Sequence, residues 1–243
     1  MLTKDRFYRK IFSSNRLKKF QVIVNESDLY IQADKILEKE AKEILYEQRG
    51  YIESFIKNNQ IFFTSLIPLH DCNASASIIR EMINSSQLAG VGPMASVAGA
   101  IAHFVGDGLL KYSNEVIVEN GGDLFIKTKS CVKIGIFAGK SPLSNKIGIN
   151  VFPDNKPLAV CTSSGTVGHS YSMGLADAVT IISESCALAD AVATSTGNKV
   201  KKKQDIEGAI EYAKTIKGVK AVLIIIDKYM GAWGELEIFS ATK

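Results

Sequence analysis

The stretch that most constrains this chain is Cys186-Ala187-Leu188-Ala189-Asp190-Ala191-Val192-Ala193-Thr194-Ser195-Thr196-Gly197, where nearly every side chain is small or aliphatic. As a helix it lets neighbours approach closely on almost any side, so it belongs inside a packed structure. Asp190 and Thr194 stand four residues apart, which stacks a carboxylate and a hydroxyl on one helical face. Oxygen groups inside an apolar helix are costly unless something satisfies them. Two partners are open. One is a hard cation such as Mg²⁺, which takes oxygen ligands and often only one or two from the protein. The other is the main chain, through capping and back-bonding.

The chain has 243 residues, 46% hydrophobic and 22% charged, which is enough for a full core and ordinary for a globular protein. We read residues 1–243 as one domain, with 1–34 as an N-terminal arm and β-hairpin. The net charge of +4 is mild. Much of the Lys and Arg lies between Lys4 and Lys19 and in Lys199-Val200-Lys201-Lys202-Lys203, a pattern of solvated ends and linkers. A nucleic-acid footprint wants a broader basic face with interleaved aromatics, so no nucleic-acid partner is expected.

Cys72, Cys131, Cys161 and Cys186 form no CxxC or CxxH pattern, which argues against a zinc knuckle or a redox pair. Reduced, mostly buried thiols in a cytoplasm are the plain reading. The opening Met-Leu-Thr-Lys-Asp-Arg lacks an apolar h-region, so no signal peptide is expected. The longest nearly apolar run, Val91 to Val105, is broken by Ser96 and His103 and is too short to span a bilayer, so no membrane is expected.

In chain order, Phe20 to Val24 and Leu29 to Ala33 flank the turn-like Asn25-Glu26-Ser27-Asp28 and read as a hairpin. Asp34 reads as the cap of a helix running towards Asn59, which Gly50 would break in two. Ile61 to Ile67 reads as a strand or buried extended segment, and Ser75 to Ser86 and Ala95 to Leu110 as helices. Between these, Gly90-Val91-Gly92 is no dinucleotide fingerprint, because no strand precedes it and no acidic residue follows at the right distance. Gly92, Pro93 and Met94 nonetheless open a helix whose free N–H groups can hold an anion, unless they are only a tight inter-helix loop.

Glu115 to Glu119 and Leu124 to Lys127 form a hairpin about Asn120, Gly121, Gly122 and Asp123, whose bare backbone lets a ligand come close. Strands at Val132 to Phe137, Lys146 to Val151 and Leu158 to Thr162 suggest that an antiparallel meander continues from it. Thr162, Ser163, Ser164, Gly165 and His169 then lie in a hydroxyl-rich loop, which either hydrogen-bonds a polar ligand such as phosphate or is simply mobile. Gly168-His169-Ser170-Tyr171 is not a hydrolase elbow, since Ser172 stands where a second glycine is needed. Ala178 to Ile182 reads as a strand and Asp205 as the cap of a helix over Ile206 to Ile216. Ala221 to Ile226 reads as a strand whose hairpin partner is Glu235 to Phe239.

These motifs, in order, resemble those of the ApbE proteins, the FAD:protein FMN transferases. Glu115 to Asp123 is similar to the family's strand-plus-Gly-Gly-Asp motif, and Val160 to Gly165 with His169 to its Thr-Ser-Gly loop and histidine. Ala189 to Thr194 is similar to the Asp-Ala-x-Ala-Thr helix, and Ala89 to Ala102 resembles a stretch of a short, uncharacterised ApbE-like branch. The resemblance spans roughly Gly90 to Gly197. It implies an α/β fold of α+β type, a T-fold-like arrangement of antiparallel sheets with packed helices and a cleft at the strand ends. It also implies Mg²⁺ on Asp190 and Thr194, FAD or FMN as the phosphate-bearing ligand, and Asn120 to Asp123, Ser163, Ser164 and His169 around it.

The departures are equally specific. Ala98 stands where the transferases carry a functional lysine, and Ser170 to Gly174 replaces their Asp-Pro-x-Thr-Gly segment. Three readings follow: a Mg²⁺-dependent enzyme on a flavin or similar cofactor, a sulfur-handling role through a thiol such as Cys161, or a ligand-binding protein that kept the cleft and lost the chemistry. The sulfur reading comes from the resemblance alone, through a link of that branch to sulfide use in homocysteine formation. A homo-oligomer is open.

Overall fold

The computed structural model describes residues 16–70, 74–152, 156–166 and 173–240. The chain enters through β1 (Lys18–Val24) and β2 (Ser27–Ala33). Val24 pairs with Ser27, so the turn is only Asn25-Glu26, two residues shorter than the sequence suggested; Asn25 takes a φ of 51°. α1 (Glu38–Asn58) starts after Asp34, which does not cap it. The Asp34 carboxylate accepts from the Asn114 N–H at 2.8 Å, and its own N–H donates to Ser113 Oγ at 3.0 Å, tying β2 to the entry of the next strand. Gly50 does not break α1, and open space surrounds it.

Ile61 to Ile67 is not extended. Gln60–Thr64 forms one helical turn, α2, in which Phe62 alone is buried, edge-on to Phe55 with centroids 5.0 Å apart. Ile61, Phe63, Leu66 and Ile67 are exposed. That apolar run has no period to say which side faces the core, and it lies beside no sheet.

α3 (Ser77–Ala89) ends at Gly90 in a left-handed conformation (φ 70°), and a 3₁₀ turn, Pro93–Ser96, leads into α4 (Val97–Leu109). There follow β3 (Val116–Asn120), β4 (Asp123–Lys127), β5 (Val132–Gly135), β6 (Ile147–Val151), β7 (Leu158–Ser163), β8 (Ala178–Ser183), α5 (Cys186–Gly197), α6 (Asp205–Thr215), β9 (Val219–Ile226), β10 (Tyr229–Gly234) and β11 (Glu237–Ser240). Asp205 is the first residue of α6 rather than its cap, with its carboxylate accepting from the N–H groups of Lys201 and Lys202.

One antiparallel sheet runs β1-β2-β3-β4-β7-β8-β9-β10, and a second runs β11-β6-β5. Two expectations are thereby corrected. The meander does not continue past β4: β5 and β6 leave for the small sheet, and β4 pairs with β7 instead. The partner of β9 is β10, through a two-residue turn at Asp227-Lys228, while β11 pairs with β6. β10, Tyr-Met-Gly-Ala-Trp-Gly, alternates aromatic and glycine on its inner face, so its pattern of two carries no aliphatic signal.

Adjacent strand residues serve opposite cores. Val118, Phe125 and Ile224 face the helices, whereas Ile117, Leu124 and Leu223 meet Ile134 and Ile149 of the small sheet. The result is three layers: helices, large sheet, small sheet. α5 is the middle of the helical layer, packed against α3, α4, α6, β4, β7 and β8, with every residue but Asp190 buried. Gly99 makes this possible, since a Cβ there would lie 2.3 Å from the Cys186 carbonyl oxygen. Among the described residues no single helix is long and apolar enough to cross a membrane; α3 and the segment Pro93–Leu109 pass only as a pair bent by 103°.

Candidate functional site

Four segments distant in sequence converge where α4 begins. Ser185 caps α5, its hydroxyl accepting from Leu188 N–H at 3.1 Å and donating to Glu81 at 2.9 Å, so Asp190 is not needed for that. Asp190 instead reaches across to α4 and accepts from the Gly99 N–H at 2.9 Å, with the Ala98 N–H also directed at it. This satisfies the carboxylate from the main chain of a neighbouring helix, where an anion is favoured. Asn120, at the end of β3, donates from Nδ2 to the Ala98 carbonyl at 3.0 Å. The hairpin tip and the start of α4 are therefore fastened together.

Gly121 and Gly122 turn the hairpin with φ of 67° and 110°, values that side chains rarely adopt. The Gly122 N–H donates to the buried Glu119 carboxylate at 2.9 Å. Asp123 follows, 5% exposed, and accepts from the Cys161 thiol and the Thr162 N–H on β7. Its carboxyl group also donates to Asp190.

Burial is the main force on both carboxyls. It lifts Asp123 well above the usual carboxylate range, helped by the negative Asp190 beside it and opposed by the bonds from Cys161 and Thr162. It lifts Asp190 to about 7 against the pull of Gly99, Asp123 and Ala98. The pair titrates as one unit holding a shared proton. Burial, and then the charge of Asp123, also push the Cys161 thiol up, the reverse of what a working nucleophile needs. Cys161 is fully buried, with Sγ 3.4 Å from the Cys186 carbonyl oxygen, so the thiol role considered above has no support here.

Thr194 lies one turn beyond Asp190 in an unbroken helix and is 9% exposed. Thr162 Oγ1 meets Thr180 Oγ1 at 2.9 Å, and Ser163 ends β7. Ser164 accepts from Thr166 N–H at 3.1 Å, and Gly165 N–H donates to the Ala176 carbonyl at 2.9 Å, which closes the foot of the following loop. A Cβ on Gly165 would strike Gly174, and one on Gly174 would strike Gly197, so this foot is pressed onto the end of α5. His169 lies outside the described residues.

Gly92, Pro93 and Met94 lie at the turn that leads into α4. A Cβ on Gly92 would sit 1.8 Å from the Ser65 carbonyl oxygen, so that glycine serves packing, and the turn it opens is four residues of 3₁₀. The N–H groups that meet the Asp190 carboxylate belong to Ala98 and Gly99, at the start of α4. Sequence reasoning missed them, and the one signal was a glycine early in a small-residue helix. The carboxyl groups of Asp123 and Asp190 thus meet beside an open glycine hairpin, with Thr194 one turn along α5 from Asp190. Among the described residues no cluster of three or more His, Cys, Asp or Glu side chains is placed to hold a metal by itself.

A family model described as AbpE bacteria matches residues 9–233. The chain is 36% identical to a UPF0280 protein of Methanococcus aeolicus over 90% of both chains. It is 38% identical to one of Methanosarcina acetivorans, covering 81% of this chain and 78% of the relative. In structure it resembles the flavin transferase ApbE from Vibrio cholerae (TM-score 0.55, 13% identity, 89% of this chain and 97% of the other). It resembles equally the apo flavinyl transferase ApbE of Pseudomonas stutzeri (TM-score 0.55, 15% identity, 89% and 93%). At these identities the likeness is one of fold.

Proposed function

The chain belongs to the AbpE bacteria family, and from that premise we propose that it binds a flavin, FAD or FMN, or another phosphate-bearing cofactor, together with Mg²⁺. The observation that carries this is the carboxyl pair: Asp123 and Asp190 share a proton where β3–β4, β7, α4 and α5 meet. Two close oxygens that can hold only one negative charge between them are a place where a divalent cation can take over from a proton. The donor chemistry fits, because Mg²⁺ prefers a few hard oxygen ligands and keeps water for the rest. Asp190 and Thr194 would hold it, with Asp123 alongside. Bound there, the ion would supply charge neutralisation for a phosphate group.

The residues around the pair would handle the ligand. Asn120 to Asp123 would line one wall, and Thr162, Ser163, Ser164 and Gly165 would offer hydroxyl and N–H groups on the other, with His169 on the loop that follows. Ala98 favours binding without the family's full chemistry. Its main chain is committed to Asn120 and Asp190, and its methyl group brings no cation where the transferases have lysine. Phosphoryl-type transfer depends on such positioned charge. A ligand-binding protein of the same fold is therefore the second reading.

FAD binding followed by fluorescence polarisation, with and without Mg²⁺, tests both. Metal-dependent binding in the wild type that is lost in Asp190→Ala supports the site, and turnover of bound FAD then separates enzyme from binder. Absence of binding under every condition removes the flavin reading.

A further inference from the structure

The two edges of the large sheet differ in character. β1 carries Lys18 and Lys19, the kind of charge that keeps an edge from pairing. β10, Tyr229–Gly234, has no charged residue, proline or bulge. Its hairpin closes at the Ile226–Tyr229 pair, so Tyr229, Gly231 and Trp233 bond inward to β9. The alternation continues across β9, where the Ile225 carbonyl faces the other way and accepts from Asp177 N–H at 2.9 Å. The main-chain N–H and C=O groups of Met230 and Ala232 therefore point out of the sheet, and neither has a partner among the described residues. The Gly234 carbonyl is turned back to Leu236 N–H at 3.0 Å, which limits the open edge to those two residues.

We propose that this edge is the seam of a homodimer, with β10 pairing antiparallel to β10 of a second copy about a twofold axis through Gly231. This register alone uses all the open groups: Met230 faces Ala232 of the second copy and Ala232 faces its Met230, giving four main-chain hydrogen bonds. It also sets Tyr229 directly opposite Trp233 of the second copy, twice. These fall at non-hydrogen-bonded positions, where side chains come closest and aromatic pairs contribute most. Gly231, at the centre, brings no side chain to obstruct them.

The flank adds surface that a second copy would cover. A groove of about 590 Å³ runs between α6 and β10, lined by Lys203, Glu207 and Glu211 above Tyr229 and Trp233. Lys203 Nζ lies 4.6 Å from the Tyr229 ring centroid, at one end, and Lys214, paired with Glu211 at 2.7 Å, lies over Trp233 at the other. A twofold axis sets Lys203 of one copy beside the Glu211–Lys214 ion pair of the other. A six-residue edge is only ~20 Å long. Reaching the ~800 Å² per partner of a stable interface takes these groove walls as well.

Sedimentation velocity and light scattering over a wide concentration series test the seam. The wild type is expected to reach twice the chain mass as concentration rises, with blue-shifted emission from Trp233, the chain's one tryptophan. Ala232→Pro removes an outward N–H and leaves the β9 ladder intact, a position where an edge tolerates proline. Met230→Lys puts a charge on an exposed side chain of the same edge. Each should weaken association by ~10-fold or more. If Ala232→Pro loses its circular dichroism, Met230→Lys carries the test. A control, Phe63→Lys in the exposed patch on α2, should leave the dimer unchanged. A wild type that stays monomeric at every concentration overturns the proposal. So does a dimer that survives both edge variants, or one that is lost in Phe63→Lys.

Discussion

Asp190 ties stability to pH. Folded, it keeps its proton up to about pH 7, whereas the unfolded chain releases it near 3.8. The folded state therefore binds more protons between those values, and stability falls as pH rises through the window. The contribution is fully present below about 3.8 and is lost as pH passes about 7. Thermal melts of the metal-free protein should drop across that range, by the equivalent of a few kcal/mol at ~1.4 per unit. Asp190→Asn, which cannot ionise, should reduce the slope and leave the part that the buried Asp123 contributes. On the proposed metal site the cation competes with the proton, so the Tm gain from Mg²⁺ should grow as pH rises through about 7 and vanish in Asp190→Asn. A gain independent of pH would place the ion elsewhere. Gly99 is the other decisive residue: Gly99→Ala puts a methyl group 2.3 Å from the Cys186 carbonyl and 2.9 Å from Asp190 Cβ. Both neighbours belong to the central helix and cannot easily give. Chemical denaturation should register a loss of ~1–3 kcal/mol or more.

At the scale of elements, the β3–β4 hairpin positions half of the candidate site. Its tip is strained for any residue but glycine, and its end is held by one bond from Asn120 to α4. Asn120→Ala should cost ~1 kcal/mol of stability, with an added penalty if the Ala98 carbonyl stays buried. It should also weaken ligand binding more than it lowers Tm, because it frees the wall of the cleft; equal effects on both would make the bond purely structural. This hairpin and α5 were legible in the sequence, since Asn-Gly-Gly-Asp and a run of small residues are local signals. The Asp190–Thr194 stack was legible for the same reason. What Asp190 touches was not, because Gly99 lies 91 residues away and only the packing of α4 on α5 joins them. Sheet membership failed likewise. β5 and β6 look like continuing meander strands, and nothing within them says that β11 rather than β4 is their neighbour. Asp34 looks like a cap, yet its partners, Ser113 and Asn114, are about 80 positions on.

At the scale of the molecule, the large sheet joins two cores that neither helices nor small sheet could sustain alone. Within β9, Ile224 packs under the helices while Leu223 packs under the small sheet. Separating either outer layer uncovers the same strands, so the layers should unfold together. Trp233 at the sheet edge and the helices' far-UV circular dichroism report on different places. In denaturant, at a concentration held fixed so that association does not shift either curve, their midpoints should coincide. Ile149, fully buried in the small sheet, extends the test. Ile149→Ala should remove ~2–5 kcal/mol. Under full cooperativity it moves both midpoints by the same amount, although it touches neither the helices nor Trp233. If Ile149→Ala moves neither midpoint, the small sheet unfolds apart from the rest and the chain is two cooperative units, since Trp233 lies on the helix-facing core. The helix-facing core, with Asp123 and Asp190 inside it, would then stand without the small sheet.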